Sequence, residues 1–193
     1  MDTQNDALLQ SILACQLCRQ DLPYPPKSIL QADTRARILI AGQAPGRKAH
    51  DSGVPFDDAS GDRLRAWLGV DRATFYDASQ FAIVPMGFCY PGKARSGDAP
   101  PRPECAQQWR QPLLATLPNI ELTLVLGKYA MAWHLPQFKG SLTEAVESWE
   151  EVWPSHLPLP HPSPRNQAWF KRNTWFETVL LPRLRDKVHL LLS

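Results

Sequence analysis

Two short apolar segments, 36–42 (ARILIAG) and 120–127 (IELTLVLG), constrain the fold of this chain more than any other feature. Both are largely aliphatic and both end in glycine, which is typical of strands buried on both faces of a parallel sheet. Segment 81–86 (FAIVPM) predicts a third strand that Pro85 ends early, and 156–160 (HLPLP) predicts a weaker fourth strand. The chain therefore carries the strands of a four-stranded sheet.

Amphipathic segments fill the intervals between these strands. Their spacing predicts helices over residues 6–17, 60–68 with Ser60 as N-cap, 103–117, 129–135, 142–149 and 173–188. Strands that alternate with helices form parallel sheets with helices on both faces. We therefore predict an α/β fold, a three-layer α/β/α domain with a central, mostly parallel four-stranded sheet, which spans residues 1–193 as one domain.

Composition narrows the functional classes. The chain has 193 residues, of which 44% are hydrophobic, so it is long enough to bury a sizeable core. Its formal net charge of +2 permits a nucleic-acid partner without arguing for one. The sequence contains no run of about 18 apolar residues that could span a membrane, and its first residues, MDTQNDALLQ, lack the basic and apolar blocks of a signal peptide. We expect a cytoplasmic monomer with no membrane partner.

Three loops follow the predicted strands, over residues 42–56, 85–105 and 161–166. In a parallel sheet, the loops at the carboxyl ends of the strands meet at one edge, where ligands bind. The third loop (HPSPRN) holds His161 between two prolines, which fix the backbone and exclude a helix or a central strand. A rigid loop of this kind aims an imidazole at a substrate, so we predict a functional site at this edge.

Four cysteines indicate a second kind of site. Cys15 and Cys18 form a C-x-x-C pair, and Cys89 and Cys105 flank the proline-rich second loop. Because no cysteine is left over and we expect a reducing compartment, a metal site is favoured over two disulfides. Four thiolates suit either an iron–sulfur cluster or tetrahedral zinc, and their spacing does not separate the two.

Four short motifs, in order along nearly the whole chain, resemble those of the uracil-DNA glycosylase superfamily. GQAPG (42–46) resembles the first motif, which in family 4, the iron–sulfur branch, is Gly-Glu-Ala-Pro-Gly. Pro-Phe (55–56) and LVLGKYA (124–130) match the family's next two motifs, and His-Pro-Ser-Pro (161–164) resembles the second catalytic motif in its family 1 form. The cysteine arrangement is also similar to that of family 4, which favours a structural 4Fe–4S cluster over zinc.

The resemblance implies a monofunctional DNA glycosylase of base excision repair. Such an enzyme flips a deaminated base, uracil by default, out of damaged DNA and hydrolyses its N-glycosidic bond. His161 would donate to the departing base, Gln43 would line the catalytic pocket, and Asp57 is our choice over Asp51 and Asp58 for orienting water. The resemblance further implies base-binding roles for Gly42, Ala44, Phe56 and Pro85, DNA-binding roles for Ser163, Arg165, Asn166, Lys171 and Arg172, and cluster binding by Cys15, Cys18, Cys89 and Cys105.

Three positions depart from the family pattern and leave alternatives open. Pro85 stands where family 4 has an asparagine that reads the base, Gln43 replaces the motif glutamate, and Ala44 stands where family 1 has a water-activating aspartate. One alternative is a glycosylase for hypoxanthine or xanthine. A second is a catalytically weak or inactive nucleic-acid-binding member of the same fold. A hydrolase of free nucleosides is disfavoured by the basic pairs that follow His161.

Overall fold

A computed structural model describes residues 3–193, so residues 1 and 2 of the predicted domain lie outside the described part. Its elements are α1 (Thr3–Leu13), β1 (Ile38–Ala41), α2 (Arg47–Ser52), α3 (Ala59–Leu68), α4 (Arg72–Phe75), β2 (Phe81–Ile83), α5 (Pro103–Cys105), α6 (Gln111–Ala115), β3 (Leu122–Leu126), α7 (Gly127–His134), α8 (Leu142–Glu147), β4 (His156–Leu159), α9 (Gln167–Arg172) and α10 (Leu181–Leu192). A π-helical segment, Ala106–Arg110, joins α5 to α6, and another, Phe176–Leu180, leads into α10.

The four strands form one sheet in the order β2-β1-β3-β4, and every neighbouring pair is parallel. Helices flank the sheet, so the predicted α/β fold is confirmed, with a sheet that is wholly rather than mostly parallel. Each strand is shorter than its apolar segment, and β2 ends at Ile83, two residues before Pro85. None of the helices that residues 3–193 form is long and apolar enough to cross a membrane.

Alternate residues of β1 face the two helical layers. Ile38 and Ile40 belong to a core cluster that includes Leu64 of α3 and Leu184 of α10. Leu39 belongs to a separate cluster with buried residues of α1 and α6. This alternation with period two gives the three-layer arrangement, because successive strand side chains point to opposite faces.

Several helix boundaries differ from the prediction. Asp58, not Ser60, is the N-cap of α3, because its carboxylate accepts a hydrogen bond from the Gly61 amide at 2.9 Å. The first helix ends at Leu13, so the C-x-x-C pair lies in the following turn. The short helices α2, α4 and α9 were not predicted, since single turns within loops have too few residues for a periodic pattern.

A buried arginine supports the loop that follows β2. Arg110 is 0% exposed, and its Nη1 donates to the carbonyls of Val84 and Pro85, both at 3.0 Å. Its Nη2 lies 2.6 Å from His134 Nε2. Because a guanidinium can only donate, this ring nitrogen is the acceptor and the imidazole is neutral. Burial and the nearby Arg110 charge lower the pKa of His134 to about 3.

The low pKa of His134 predicts a pH-dependent stability. Between an ordinary histidine pKa of 6.5 and about 3, the unfolded chain binds a proton that the folded chain does not. The free energy of unfolding should therefore decrease as the pH falls through this window, by about 1.4 kcal/mol per pH unit from this group. This change in the free energy of unfolding is measured by urea denaturation at about pH 7 and about pH 5.5. The parent is compared with His134→Gln, whose amide oxygen can still accept from Arg110. An equal loss of stability in both proteins would contradict the assignment.

Candidate active site

A cavity of about 590 Å³ lies beyond the carboxyl ends of the strands. The three predicted loops all contribute to it, together with the first turn of α7. Of the residues predicted for the site, those that line the cavity are Gly42, Gln43, Ala44, Phe56, Pro85, His161, Ser163 and Arg165. The cavity is also lined by residues for which the sequence predicts no role in the site, among them Ser60, Ser96, Asp98, Lys128 and Tyr129.

His161 is held in one orientation by its own loop. The Ser163 amide donates to its Nδ1 at 3.2 Å, and Asn166 Nδ2 donates to its backbone carbonyl at 2.7 Å. Burial lowers the pKa of His161, against the opposing effects of Asp58 and Asp98. A neutral ring whose Nδ1 accepts a hydrogen bond carries its proton on Nε2, so His161 can donate from Nε2 into the cavity.

Arg63 anchors the loop that carries His161 (residues 161–166, the histidine loop) from outside the cavity. Arg63, on α3, donates from Nη1 to the Ser163 carbonyl at 3.2 Å and from Nη2 to Gln167 Oε1 at 3.0 Å. Its guanidinium also lies over the Phe170 ring, 5.1 Å from the ring centre. The sequence did not identify this residue, because an arginine on an amphipathic helix has the same pattern as any solvated charge.

Phe56 has a strained backbone at the cavity wall. Its φ of 55° lies in the left-handed region, which costs a bulky residue about 1–2 kcal/mol. A β-carbon on Gly61 would lie 1.8 Å from the Phe56 carbonyl oxygen, so only glycine fits there. The ring itself packs edge-on against Phe75 and beside Gly42, where a β-carbon would lie 3.4 Å from Phe56 Cζ. Gly42 therefore gives the ring access to the cavity, an arrangement suited to stacking a planar ligand.

The second loop forms a tight turn at the cavity mouth. The Ala94 amide donates to the Gly97 carbonyl at 2.9 Å, and Gly97 has a φ of 89°. Arg165, from the histidine loop, lies directly against this turn, since a β-carbon on Gly97 would lie 2.2 Å from Arg165 Nη1. The two loops thus meet through Arg165 at the edge of the cavity.

Other predicted site residues do not line the cavity. Asp57 is paired with Arg72 at 2.9 Å, and hydrogen bonding to Arg72 lowers the pKa of its carboxyl group. Asn166 commits its side-chain amide to the His161 carbonyl. Lys171 and Arg172 are exposed in the last turn of α9, away from the cavity wall.

The four cysteines meet around a second, small cavity of about 20 Å³. All four are free thiols. Burial raises the pKa values of Cys18 and Cys89, and raises that of Cys105 to about 12. Within residues 3–193, no group of three or more His, Cys, Asp or Glu side chains is close enough to hold a single metal ion.

Two sulfurs of this cysteine site accept hydrogen bonds from nearby groups. The Trp109 indole donates to Cys15 Sγ at 3.3 Å, and the Phe88 amide donates to Cys105 Sγ at 3.3 Å. Arg102 lowers the pKa of Cys18 and the Lys27 amide lowers that of Cys89, in both cases against the larger effect of burial. Because burial outweighs these contacts at Cys18, Cys89 and Cys105, the thiol form is favoured there, and binding of a metal would deprotonate the sulfurs.

A family model described as the Uracil DNA glycosylase superfamily matches residues 30–185. The chain belongs to this superfamily. The matched region contains all four strands of the sheet and all three loops that line the cavity. Members of this superfamily typically are DNA glycosylases, which hydrolyse the bond between a base and its sugar, and this chemistry fits a cavity with a histidine donor and an aromatic wall.

Proposed function

We propose that this chain is a monofunctional DNA glycosylase that removes a deaminated base, uracil by default, in base excision repair. The observation that carries the proposal is the neutral His161 imidazole, held by Ser163 and aimed into the cavity. Cleavage of an N-glycosidic bond leaves negative charge on the base and positive charge on the sugar. A fixed N–H donor that meets the base oxygen stabilises the first of these charges.

The cavity also has the parts needed to hold a base that has left the helix. Phe56 would stack on the base, beside Gly42, and Gln43 would offer both a donor and an acceptor to its edge. The Pro85 side chain offers no hydrogen bond, and its carbonyl is already bonded to Arg110. Base recognition would then depend on Gln43 and His161 without a contact from position 85. Hypoxanthine and xanthine are therefore the alternative substrates.

Basic residues around the cavity mouth would position the DNA. Lys128 and Arg165 line the cavity and are exposed, so their charges can reach phosphates beside a flipped nucleotide. Lys171 and Arg172 extend this basic surface along α9, and Ser163 adds a hydroxyl at the rim. The net charge of +2 is small, so these few residues would carry most of the electrostatic attraction.

An excision assay tests the proposed function. The purified protein is incubated with single- and double-stranded oligonucleotides that contain uracil, hypoxanthine or xanthine, and abasic sites are then cleaved with alkali. Strand cleavage with one of these bases is the expected result and identifies the substrate. No cleavage with any of them, from folded protein that retains its metal, would overturn the proposal and favour the binding-only alternative.

We also propose that the chain belongs to the iron–sulfur branch, family 4, and that Cys15, Cys18, Cys89 and Cys105 hold a 4Fe–4S cluster. The convergence of all four cysteines on one small cavity supports this proposal. Four thiolates also suit tetrahedral zinc, and the resemblance of the cysteine arrangement to that of family 4 favours the cluster. The cluster would link the turn after α1 to the loop after β2, and it takes no part in the proposed reaction.

Loss of one cysteine should therefore remove the cluster and weaken the fold. We expect aerobically stable brown protein with about four irons and four sulfides per chain, and colourless protein from Cys105→Ser. The variant should also unfold more readily, because the cysteine site ties two segments together. Iron and sulfide analysis with visible absorbance measures the first effect, and urea denaturation measures the second. A content of one zinc per chain and no sulfide would contradict the cluster and show that the site binds zinc.

We further propose that the chain works as a cytoplasmic, single-domain monomer. The four free thiols support this location, because a reducing compartment such as the cytoplasm keeps cysteines from forming disulfides. Light scattering of the purified protein tests the oligomeric state, and a mass of twice the chain's 21.8 kDa would contradict it.

A further inference from the structure

Two carboxylates lie close together in the cavity and have no role in the function proposed above. Asp58, the N-cap of α3, and Asp98, at the end of the loop turn, both line the cavity beside Gly46. A β-carbon built on Gly46 would lie 3.4 Å from Asp98 Oδ2 and 3.9 Å from Asp58 Oδ2. One oxygen of each carboxylate therefore borders the same small space above Gly46.

Neither carboxylate takes part in an ion pair, unlike two nearby aspartates. Asp57 is paired with Arg72 at 2.9 Å and Asp51 with Arg47 at 2.8 Å. None of the ion pairs formed within residues 3–193 includes Asp58 or Asp98. Asp58 is nevertheless fixed, because its Oδ1 accepts from the Gly61 amide at 2.9 Å, which leaves Oδ2 towards the cavity.

The same two carboxylates act on the histidine of the site. Both raise the pKa of His161 against the lowering by burial, so their charges lie close to the ring. Negative charge beside a DNA-facing cavity repels phosphates and weakens DNA binding. Two carboxylates there are suited to stabilise positive charge, which develops on the sugar when the glycosidic bond breaks.

We propose that Asp58 holds and deprotonates the attacking water, and that Asp98, which borders the same space, stabilises the cationic sugar. This inference rests on the proposed glycosylase function. The C1′–N bond breaks with both electrons moving to the base, whose oxygen accepts a hydrogen bond from His161. The water oxygen bonds to C1′ and its proton passes to the Asp58 carboxylate. The base anion then takes a proton from solvent, so the products are the free base and an abasic sugar.

Asp58→Asn tests the assignment without loss of the helix cap. Asparagine is as good an N-cap as aspartate, so its side-chain oxygen can still accept from Gly61, but an amide cannot take a proton from water. We expect the single-turnover excision rate to fall about 100-fold or more, with binding to a hydrolysis-resistant 2′-fluoro substrate unchanged or tighter. Asp98→Asn should lose about 10-fold. The matched control is Asp71→Asn, which makes the same change at the aspartate N-cap of α4, outside the cavity, and should stay within about 3-fold of the parent.

Gly46→Ala tests the same space without changing any charge. Gly46 has a φ of −79°, which alanine adopts freely, and the added methyl enters the space between the two carboxylates. We expect it to displace the water and lower the excision rate about 10-fold or more, with only a small decrease in melting temperature because alanine is a poorer N-cap for α2 than glycine. Full activity of both Asp58→Asn and Gly46→Ala, in a protein whose parent excises the base, overturns this inference alone. A parent that excises none of the bases overturns the proposed function and this inference with it.

Discussion

Replacement of His161 by alanine is expected to lower the single-turnover excision rate by about 100- to 1000-fold, the usual loss when one donor to a developing anion is removed. The Ser163 amide holds Nδ1 as an acceptor, so Nε2 carries the proton that meets the base. The same variant should bind damaged DNA with nearly unchanged affinity, because the contacts to phosphate come from other residues. Rapid-quench kinetics on the preferred oligonucleotide measure the rate, and fluorescence anisotropy measures the affinity.

The control for this variant is His189→Ala. His189 is exposed on α10, outside the cavity lining, so its removal should leave both excision and binding unchanged. A His161→Ala protein that excises the base at the rate of the His189→Ala protein would contradict the role of the imidazole. A parallel loss of affinity and rate would instead indicate that His161 only shapes the loop.

Replacement of Arg110 by methionine is expected to reduce the free energy of unfolding by about 3–5 kcal/mol, since it leaves several buried acceptors unpaired. The guanidinium donates to the Val84 and Pro85 carbonyls, both at 3.0 Å, and also bonds His134. Methionine fills much of the same volume but donates no hydrogen bond, so these acceptors would lie buried without partners. Burial lowers the pKa of Arg110 to about 10, which is still high enough for the group to be charged near neutral pH.

The matched control is Arg185→Met, because Arg185 also donates to two backbone carbonyls. Its Nη2 bonds the Ala66 carbonyl at 3.0 Å and its Nε bonds the Trp67 carbonyl at 3.2 Å, but the residue is exposed, so water can replace it. We expect this variant to lose less than about 1 kcal/mol by urea denaturation at the same pH. Equal losses in the two variants would show that burial of the Val84 and Pro85 carbonyls does not set the cost.

Much of the fold could be predicted because its signals are local. A strand buried on both faces must be apolar throughout, so the segments 36–42 and 120–127 mark their strands without knowledge of their partners. The position of the cavity followed from topology, since the loops after parallel strands meet at one edge. The short helices α2, α4 and α9 could not be predicted in the same way, because packing rather than pattern stabilises a single turn.

The carboxylates show where local reasoning ends. Asp57 and Asp58 are adjacent in the sequence and chemically identical, and the prediction from the sequence names Asp57 for the water-orienting role. The pairing of Asp57 with Arg72 and the cap from Asp58 to Gly61 turn the two side chains in different directions. Asp98 gave no sequence signal at all, because a Gly-Asp pair in a polar loop is typical of an ordinary turn.

The sequence by itself determined the parallel sheet, the order of the three loops and the rigid setting of His161, because aliphatic runs and prolines act on the backbone wherever they occur. Only the tertiary structure decided that Asp58 and Asp98 border one space, that Arg63 anchors the histidine loop, and that Arg110 supports the loop after β2. These features are contacts between residues far apart in the chain. Each partner alone has the sequence pattern of a surface charge, and its role exists only once the fold brings the other partner to it.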